Sequence, residues 1–328
     1  MKFATLNDHS LDGRLVLVSR DHTRCLELGS LAPSLLYAVQ NWQRLSPEFQ
    51  GMYEHLNNDV LSGIPFQPEQ CGAPLPRSPQ WCDGSAFLNH ANLMAQAFNT
   101  PPIPDLDRTP LMYQGASDDF LGPHADVPLP SEDDGIDFEG EFGVILDRVP
   151  MGITPEHALS RVLLVVQLND WSLRTLGPRE MRTGFGFLQA KPSTSFAPIA
   201  VTPDELGDAW HDGRVQLELN VQWNDQPFGH PHGSEMSFSF GQLIAHAART
   251  RRLSAGTIIG TGTVSNVARE AGSACIAERR VIEIIDAGRA STDFMRFGDR
   301  IRMEARTPGA SHGPFGVIDQ RVVKAPAP

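Results

Sequence analysis

The chain has 328 residues, 41% of them hydrophobic and 20% charged, with a formal net charge of −12. That length suffices for a sizeable core, and the acidic balance argues against nucleic acid and against an anionic membrane surface, both of which need a basic footprint. The opening residues MKFATLNDHS lack the basic-then-apolar pattern of a secretion signal, and the longest strongly apolar run, 162–168, is far short of a membrane span. The four cysteines (Cys25, Cys71, Cys82 and Cys275) show no C-x-x-C spacing. They read as reduced thiols of a cytoplasmic protein rather than as a disulfide framework.

In chain order, β-type segments at 15–18 and 25–28 and a helical segment over 34–45 predict a small N-terminal domain, residues 1–75. A proline-rich stretch follows, with Pro65, Pro68, Pro74, Pro76 and Pro79. Proline fixes φ and lacks the amide donor, so this stretch reads as a linker or an extended crossing. Residues 76–328 form the second domain, in which strands are predicted at 142–146, 162–168, 215–223, 257–259 and 300–304. One helix is strongly signalled: Ser239 and Gln242 form a capping box, and Leu243, Ile244, Ala247 and Ala248 follow on one face. Arg249, Arg251 and Arg252 then suit its C-terminal end. Many strands with few strong helices give a mainly β, α+β fold and argue against an alternating βα barrel.

The chemistry concentrates in three segments. In the run Asp137-Phe-Glu139-Gly-Glu141, residues two apart on a strand share a face about 6.5–7 Å apart, so the three acids are expected to line one face. Such carboxylates repel unless solvated, protonated or neutralised by a cation; alone, they read first as the wet, acidic face of an edge strand. The apolar strand 162–168 then opens into Asn169-Asp170-Trp171-Ser172-Leu173-Arg174, which puts a further acid and a fixed cation where active-site groups often sit. An oxygen-rich set without Cys or a compact His group favours Mg²⁺, Mn²⁺ or Ca²⁺ over zinc. The third segment, from Asp83 to Asn89-His90, offers a histidine whose ordinary pKa suits a general base.

Together, in this order, the segments resemble the fumarylacetoacetate hydrolase family, which shows an aspartate shortly before a histidine, an E-x-E strand and an N-D-x-S-x-R turn. Lys191, the loop Gly262-Thr263-Val264-Ser265 and the stretch Leu111-Met-Tyr113-Gln-Gly extend the likeness over roughly residues 76–325. The resemblance implies a mixed β-roll assembled as a homodimer. It implies Asp83, Glu139, Glu141 and Asp170 as ligands of a divalent metal and His90 as general base. Arg174 and Lys191 would polarise the attacked carbonyl and bind substrate alongside Tyr113 and Thr263, and Glu278 is the candidate that orients His90. The implied activity is hydrolysis of a carbon–carbon bond in a β-diketo acid, foremost fumarylacetoacetate to fumarate and acetoacetate, in aromatic amino acid (tyrosine) catabolism.

The sequence also departs from the family pattern. Gly177 stands where fumarylacetoacetases often carry glutamine, and no arginine for a substrate carboxylate occurs near Asn99. Leu93 occupies the position of the glutamate used by acylpyruvate-cleaving relatives. Acylpyruvate hydrolysis, decarboxylation of an oxo-diacid and hydration of a dienoate are the alternative reactions on the same site. A non-catalytic protein binding metal or small acids is the alternative of another class. His230-Pro-His232 reads as a loop pair, and the glycine-rich runs at 184–187 and 260–262 do not fit a phosphate-binding loop.

Overall fold

In the computed structural model, which describes residues 1–98, 101 and 103–326, an eleven-stranded sheet runs through the molecule. Its strands follow the order Ile64–Pro65, Arg24–Glu27, Arg14–Val18, Lys2–Leu6, Ala200–Val201, Val162–Asn169, Gly140–Leu146, Ile258–Gly260, Trp81–Gly84 and Met112–Gly115, with Ser195–Phe196 pairing beside Val162–Asn169. Neighbours are antiparallel except Ile258–Gly260 with Trp81–Gly84, which run parallel. The N-terminal strands therefore continue the sheet that carries the second half of the chain.

Val162–Asn169 is central because it is apolar on both faces: all eight residues are buried, as expected where a sheet is covered on two sides. One face packs against the helices Leu35–Gln40 and Trp42–Asn57, where Leu35, Val39, Phe49 and Tyr53 meet Phe3, Leu15, Leu17 and Leu164. The other face packs on a five-stranded sheet ordered Gln226–Gly229, Glu218–Trp223, Arg300–Arg306, Ile318–Lys324 and Val127–Leu129. Gln167 stitches the two sheets together, donating to the Met303 carbonyl at 3.1 Å and accepting from the Ala305 amide at 2.7 Å. A buried amide needs both partners, or its desolvation would be uncompensated.

The expected helix over 34–45 is in fact two, broken at Asn41. The expected strand over 215–223 is interrupted between Arg214–Val215 and Glu218–Trp223. The capping box at Ser239 and Gln242 is formed as read, and its helix runs Phe240–Ala247. Four further helices, Leu88–Phe98, Pro155–Ala158, Gly177–Thr183 and Ile276–Ala287, were not anticipated. All four cysteines are buried and free. Among the described residues no helix is long and apolar enough to cross a membrane.

Candidate active site and metal centre

Three strand ends converge on one acidic cluster. Asp83 lies in Trp81–Gly84, Glu141 in Gly140–Leu146, Asp170 directly after Val162–Asn169, and Glu139 just before Gly140. One carboxylate oxygen from each of these four acids lies within 4.8 Å of the others, and all four side chains are buried. The sheet register brings them together: Glu141 faces Leu168, while Gly260 stands between Gly143 and Asp83. Gly260 must be glycine, since a Cβ there would sit 2.4 Å from Asp83 Oδ1. Two residues on, Gly262 adopts a φ of 74° and its amide donates to Asp83 Oδ1 at 3.1 Å.

The quartet splits electrostatically into two pairs. Lys191 Nζ lies 2.6 Å from Asp170 Oδ2 and 2.9 Å from Glu139 Oε2. Arg174 Nη2 lies 2.6 Å from Glu139 Oε1 as a close ion pair without a hydrogen bond's alignment. Burial pushes Glu139 up, but the charges of Lys191 and Arg174 outweigh it and hold the acid well below the usual carboxylate range. Burial likewise works against the Lys191 charge, yet Asp170 and Glu139 keep the ammonium protonated far above its ordinary value. Asp83 and Glu141 behave oppositely. Burial drives both well above the carboxylate range, reinforced by Asp170 beside Asp83 and by Asp83 and Asp170 beside Glu141.

Glu141 supplies the test of fit for a cation. It is fully buried and neither carboxylate oxygen has a hydrogen-bond partner. A buried, unpartnered carboxylate is costly unless a proton or a cation neutralises it. Four oxygen ligand groups, with no sulfur or imidazole among them, suit a hard divalent ion. The supporting contacts are those of a ligand set held in place. Thr194 Oγ1 donates to Asp170 Oδ1 at 2.8 Å, the Tyr113 hydroxyl donates to Asp170 Oδ2, and Ser172 Oγ donates to Glu139 Oε1 at 3.2 Å.

Asp137 does not share this face, contrary to the expectation from alternation. Ile136–Asp137 is a separate two-residue strand paired with Ser172–Leu173, and the chain breaks step before Gly140–Leu146. The carboxylate of Asp137 instead meets the N-terminus of the helix Ile276–Ala287, accepting from the amides of Ile276 at 2.7 Å and Ala277 at 2.9 Å. Arg174 Nε also donates to it at 2.7 Å. Free amides and the positive end of the helix dipole make that position a better home for the charge than a face already holding four acids.

His90 sits in the first turn of Leu88–Phe98, and its Nδ1 lies 2.7 Å from Glu278 Oε2. Glu278 is buried in the first turn of Ile276–Ala287, where the thiol of Cys275 accepts from its amide. Asn89 fixes the His90 helix by donating to Ser265 Oγ at 2.9 Å and to the Asn266 carbonyl at 2.8 Å. Leu93 is buried one turn further on.

Tyr113 faces Asp83 across the strand pair, and its hydroxyl is committed to Asp170. Lys191 Nζ lies 5.4 Å from the centre of its ring, and Phe187 packs edge-on against it. Thr263 is buried directly after Gly262. Gly177 starts the helix Gly177–Thr183, and Asn99 lies outside the described residues. His230 and His232 stay apart from the acids: His230 lies 3.6 Å from Glu218, and His232 pairs with Ser234. The sequence reading missed Thr194, the Gly262 amide and the anchoring place of Asp137. Only Thr194, three residues after Lys191, offered a polar side chain close to an assigned residue.

Residues 80–323 match the family described as fumarylacetoacetate (FAA) hydrolase C-terminal, and residues 1–77 match fumarylacetoacetase N-terminal domain 2. The chain belongs to the fumarylacetoacetate hydrolase family. Among curated family relatives, a 2,4-didehydro-3-deoxy-L-rhamnonate hydrolase of Sphingomonas sp. (strain SKA58) is 30% identical over 169 residues, 51% of this chain and 55% of that protein. The match thus spans just over half of that relative's length. An oxaloacetate tautomerase of Bacillus subtilis is 23% identical over 79% of this chain and 84% of its own. Among solved structures, a maleylpyruvate hydrolase of Sphingobium sp. SYK-6, in complex with manganese(II) and pyruvate, aligns over 99% of this chain and 100% of its own, with a TM-score of 0.67 and 17% identity. At that identity the likeness shows the fold. Hydrolases and tautomerases thus both occur among the relatives of this chain.

Proposed function

We propose that this chain is a divalent-metal-dependent hydrolase that cleaves a carbon–carbon bond in a small β-diketo acid, with fumarylacetoacetate the first substrate to test. The observation that carries this reading is the His90–Glu278 pair, near enough for the charge of His90 to act on Glu139, together with an acidic quartet partly neutralised by the Lys191 and Arg174 side chains. Asp83, Glu139, Glu141 and Asp170 would hold Mg²⁺, Mn²⁺ or Ca²⁺, which when bound supplies Lewis acidity to a 1,3-dioxo group.

The chain's own residues divide the remaining work. With Nδ1 turned to Glu278, His90 keeps Nε2 free to take a proton from water, and the carboxylate stabilises the imidazolium that results. The hydroxide formed adds to one carbonyl carbon of the substrate. Arg174 and Lys191, both cationic and largely buried, lower the cost of the developing oxyanion. Collapse of the adduct breaks the carbon–carbon bond. Its electron pair goes to the leaving fragment as an enolate, and the proton on His90 returns to that fragment, giving two carboxylic acids or an acid and a ketone.

The Glu278 contact also bears on substrate choice. Leu93 carries no carboxylate, but His90 has a partner from another helix, so lack of a glutamate at 93 does not count against acylpyruvate substrates. A tautomerase would also need a proton-transferring group and is the second reading, supported by the relative that matches the larger share of the chain. Turnover in ¹⁸O-labelled water separates the two. A hydrolase places one label in a product carboxylate and yields two fragments, whereas a tautomerase leaves the carbon skeleton whole.

A further inference from the structure

We infer that Asp137 is the positioning residue that couples the two halves of the site, holding Arg174 with the same carboxylate that seats the helix carrying Glu278. The inference rests on the hydrolase reading for the roles of those two residues.

The geometry is compact. Asp137 is fully buried, and each of its oxygens is in use. Oδ1 accepts from the Ile276 amide at 2.7 Å; Oδ2 accepts from the Ala277 amide at 2.9 Å and from Arg174 Nε at 2.7 Å. Ile276 and Ala277 are the first two residues of the helix, and Glu278 is the third. From that third position the Glu278 carboxylate reaches His90 Nδ1 at 2.7 Å. On the other side, the guanidinium fixed by Asp137 puts Nη2 2.6 Å from Glu139. One buried carboxylate therefore sets both the start of the helix behind the histidine and the orientation of the arginine beside the acids. Arginine's planar fork makes this possible: Nε bonds Asp137 while Nη2 faces Glu139.

Asp137→Asn keeps the size of the side chain but removes its charge. It also turns a donor toward groups that are themselves donors. The readout that does not depend on substrate is the spectrum of full-length protein labelled with ¹⁵N-histidine and ¹⁵N-arginine, saturated with Mg²⁺. The expected result is that both the Arg174 Nε–H and the His90 ring signals shift or broaden, while Mg²⁺ still binds with wild-type affinity. On any oxo acid that the wild type cleaves, kcat falls by about 10–100-fold, the scale for groups that orient reacting residues, with KM near the wild-type value.

Unchanged His90 signals would overturn the inference even if Arg174 moved, because no coupling would then exist. If the uncompensated Arg174 charge unfolds the first variant, Asp137→Glu keeps the charge and alters only its reach, and the same His90 and Arg174 shifts are expected. Failure of both variants to fold would overturn the inference in favour of a purely structural role. A wild type inactive on every oxo acid would sink the hydrolase reading, while the two sets of signals would still judge the coupling.

Discussion

His90 and Glu278 stand 188 positions apart in sequence, yet Nδ1 of the histidine lies 2.7 Å from Oε2 of the glutamate. The contact joins the first turns of two helices, so each partner is held by backbone as well as by the other. A base whose second nitrogen is fixed this way presents one defined tautomer to its substrate. Glu278→Gln removes the charge that favours the imidazolium. We expect it to lower kcat of the cleaved oxo acid while leaving the metal titration at its wild-type value; equal loss of both would show that Glu278 serves the fold of the cluster instead.

Glu141→Gln separates the cost of a buried acid from its use. Burial and the neighbouring carboxylates favour the protonated form of Glu141 in the metal-free protein, and neither oxygen has a hydrogen-bond partner. Holding that proton at neutral pH costs stability that a permanently neutral isostere does not lose, so the variant should raise the melting temperature of the metal-free protein at neutral pH. The same change should weaken Mg²⁺ or Mn²⁺ binding at least as much as the roughly 10–100-fold that follows loss of a merely supporting group. Calorimetry on both proteins, with and without metal, checks the two signs together.

Metal binding should release protons. Burial first, and neighbouring carboxylates second, raise Asp83 and Glu141 above the ordinary carboxylate range in the metal-free protein. A cation needs both ionised, so affinity rises with pH until they are ionised without it. The folded metal-free state binds protons that the unfolded chain has released, so its stability falls as pH rises above the unfolded carboxylate pKa. Added Mg²⁺ should offset that fall. Titrations in buffers of different ionisation enthalpy would reveal the released protons, and a count of zero at neutral pH would contradict the charge balance described here.

A second pH effect is expected far from the site, with the opposite sign. Burial, then the Lys2 ammonium that donates to His22 Nε2, then the nearby ring of His312, push His22 down to about 3. The unfolded chain takes up this proton near pH 6.5 while the folded state resists it. Stability from this group is therefore complete above pH 6.5 and lost as pH falls toward 3. Between pH 7 and pH 5 the loss amounts to at most about 2 kcal/mol, from 1.36 kcal/mol per unit. His22→Asn suits the positive φ of 60° at this position. It should flatten the dependence of urea midpoints on pH over that window; an unaltered slope would remove His22 as the cause.

Much of the fold and site was legible because local signals agreed with the tertiary result. The capping box at Ser239 and the strongly apolar run 162–168 are local features, and both took the form that their patterns predict. Glu139, Glu141 and Asp170 are candidates because their motifs are dense in oxygen ligands, whereas Asp83 is a candidate only through the family resemblance; the sheet brings all four within 4.8 Å of one another. Asp137 was misplaced because alternation assumes an unbroken strand. Nothing local to Ile136–Glu139 announces a change of partner toward a helix some 140 residues later. That helix was missed although Ala277, Val281, Ile284 and Ile285 recur at helical spacing; the charged run Glu278-Arg279-Arg280 interrupts the apolar pattern near its start. Its anchors, Asp137 and the Cys275 thiol, are respectively distant in sequence and an uncommon cap.

The most direct measurement is turnover of fumarylacetoacetate, followed by loss of its ultraviolet absorbance, in the wild type and in His90→Ala, each with and without Mg²⁺ or Mn²⁺. Turnover is expected to need the metal and to fall by about 10²–10⁴-fold in His90→Ala, the usual scale for loss of a general base, with metal affinity retained. Equal turnover by the variant, or by the metal-free protein, would contradict the proposed mechanism.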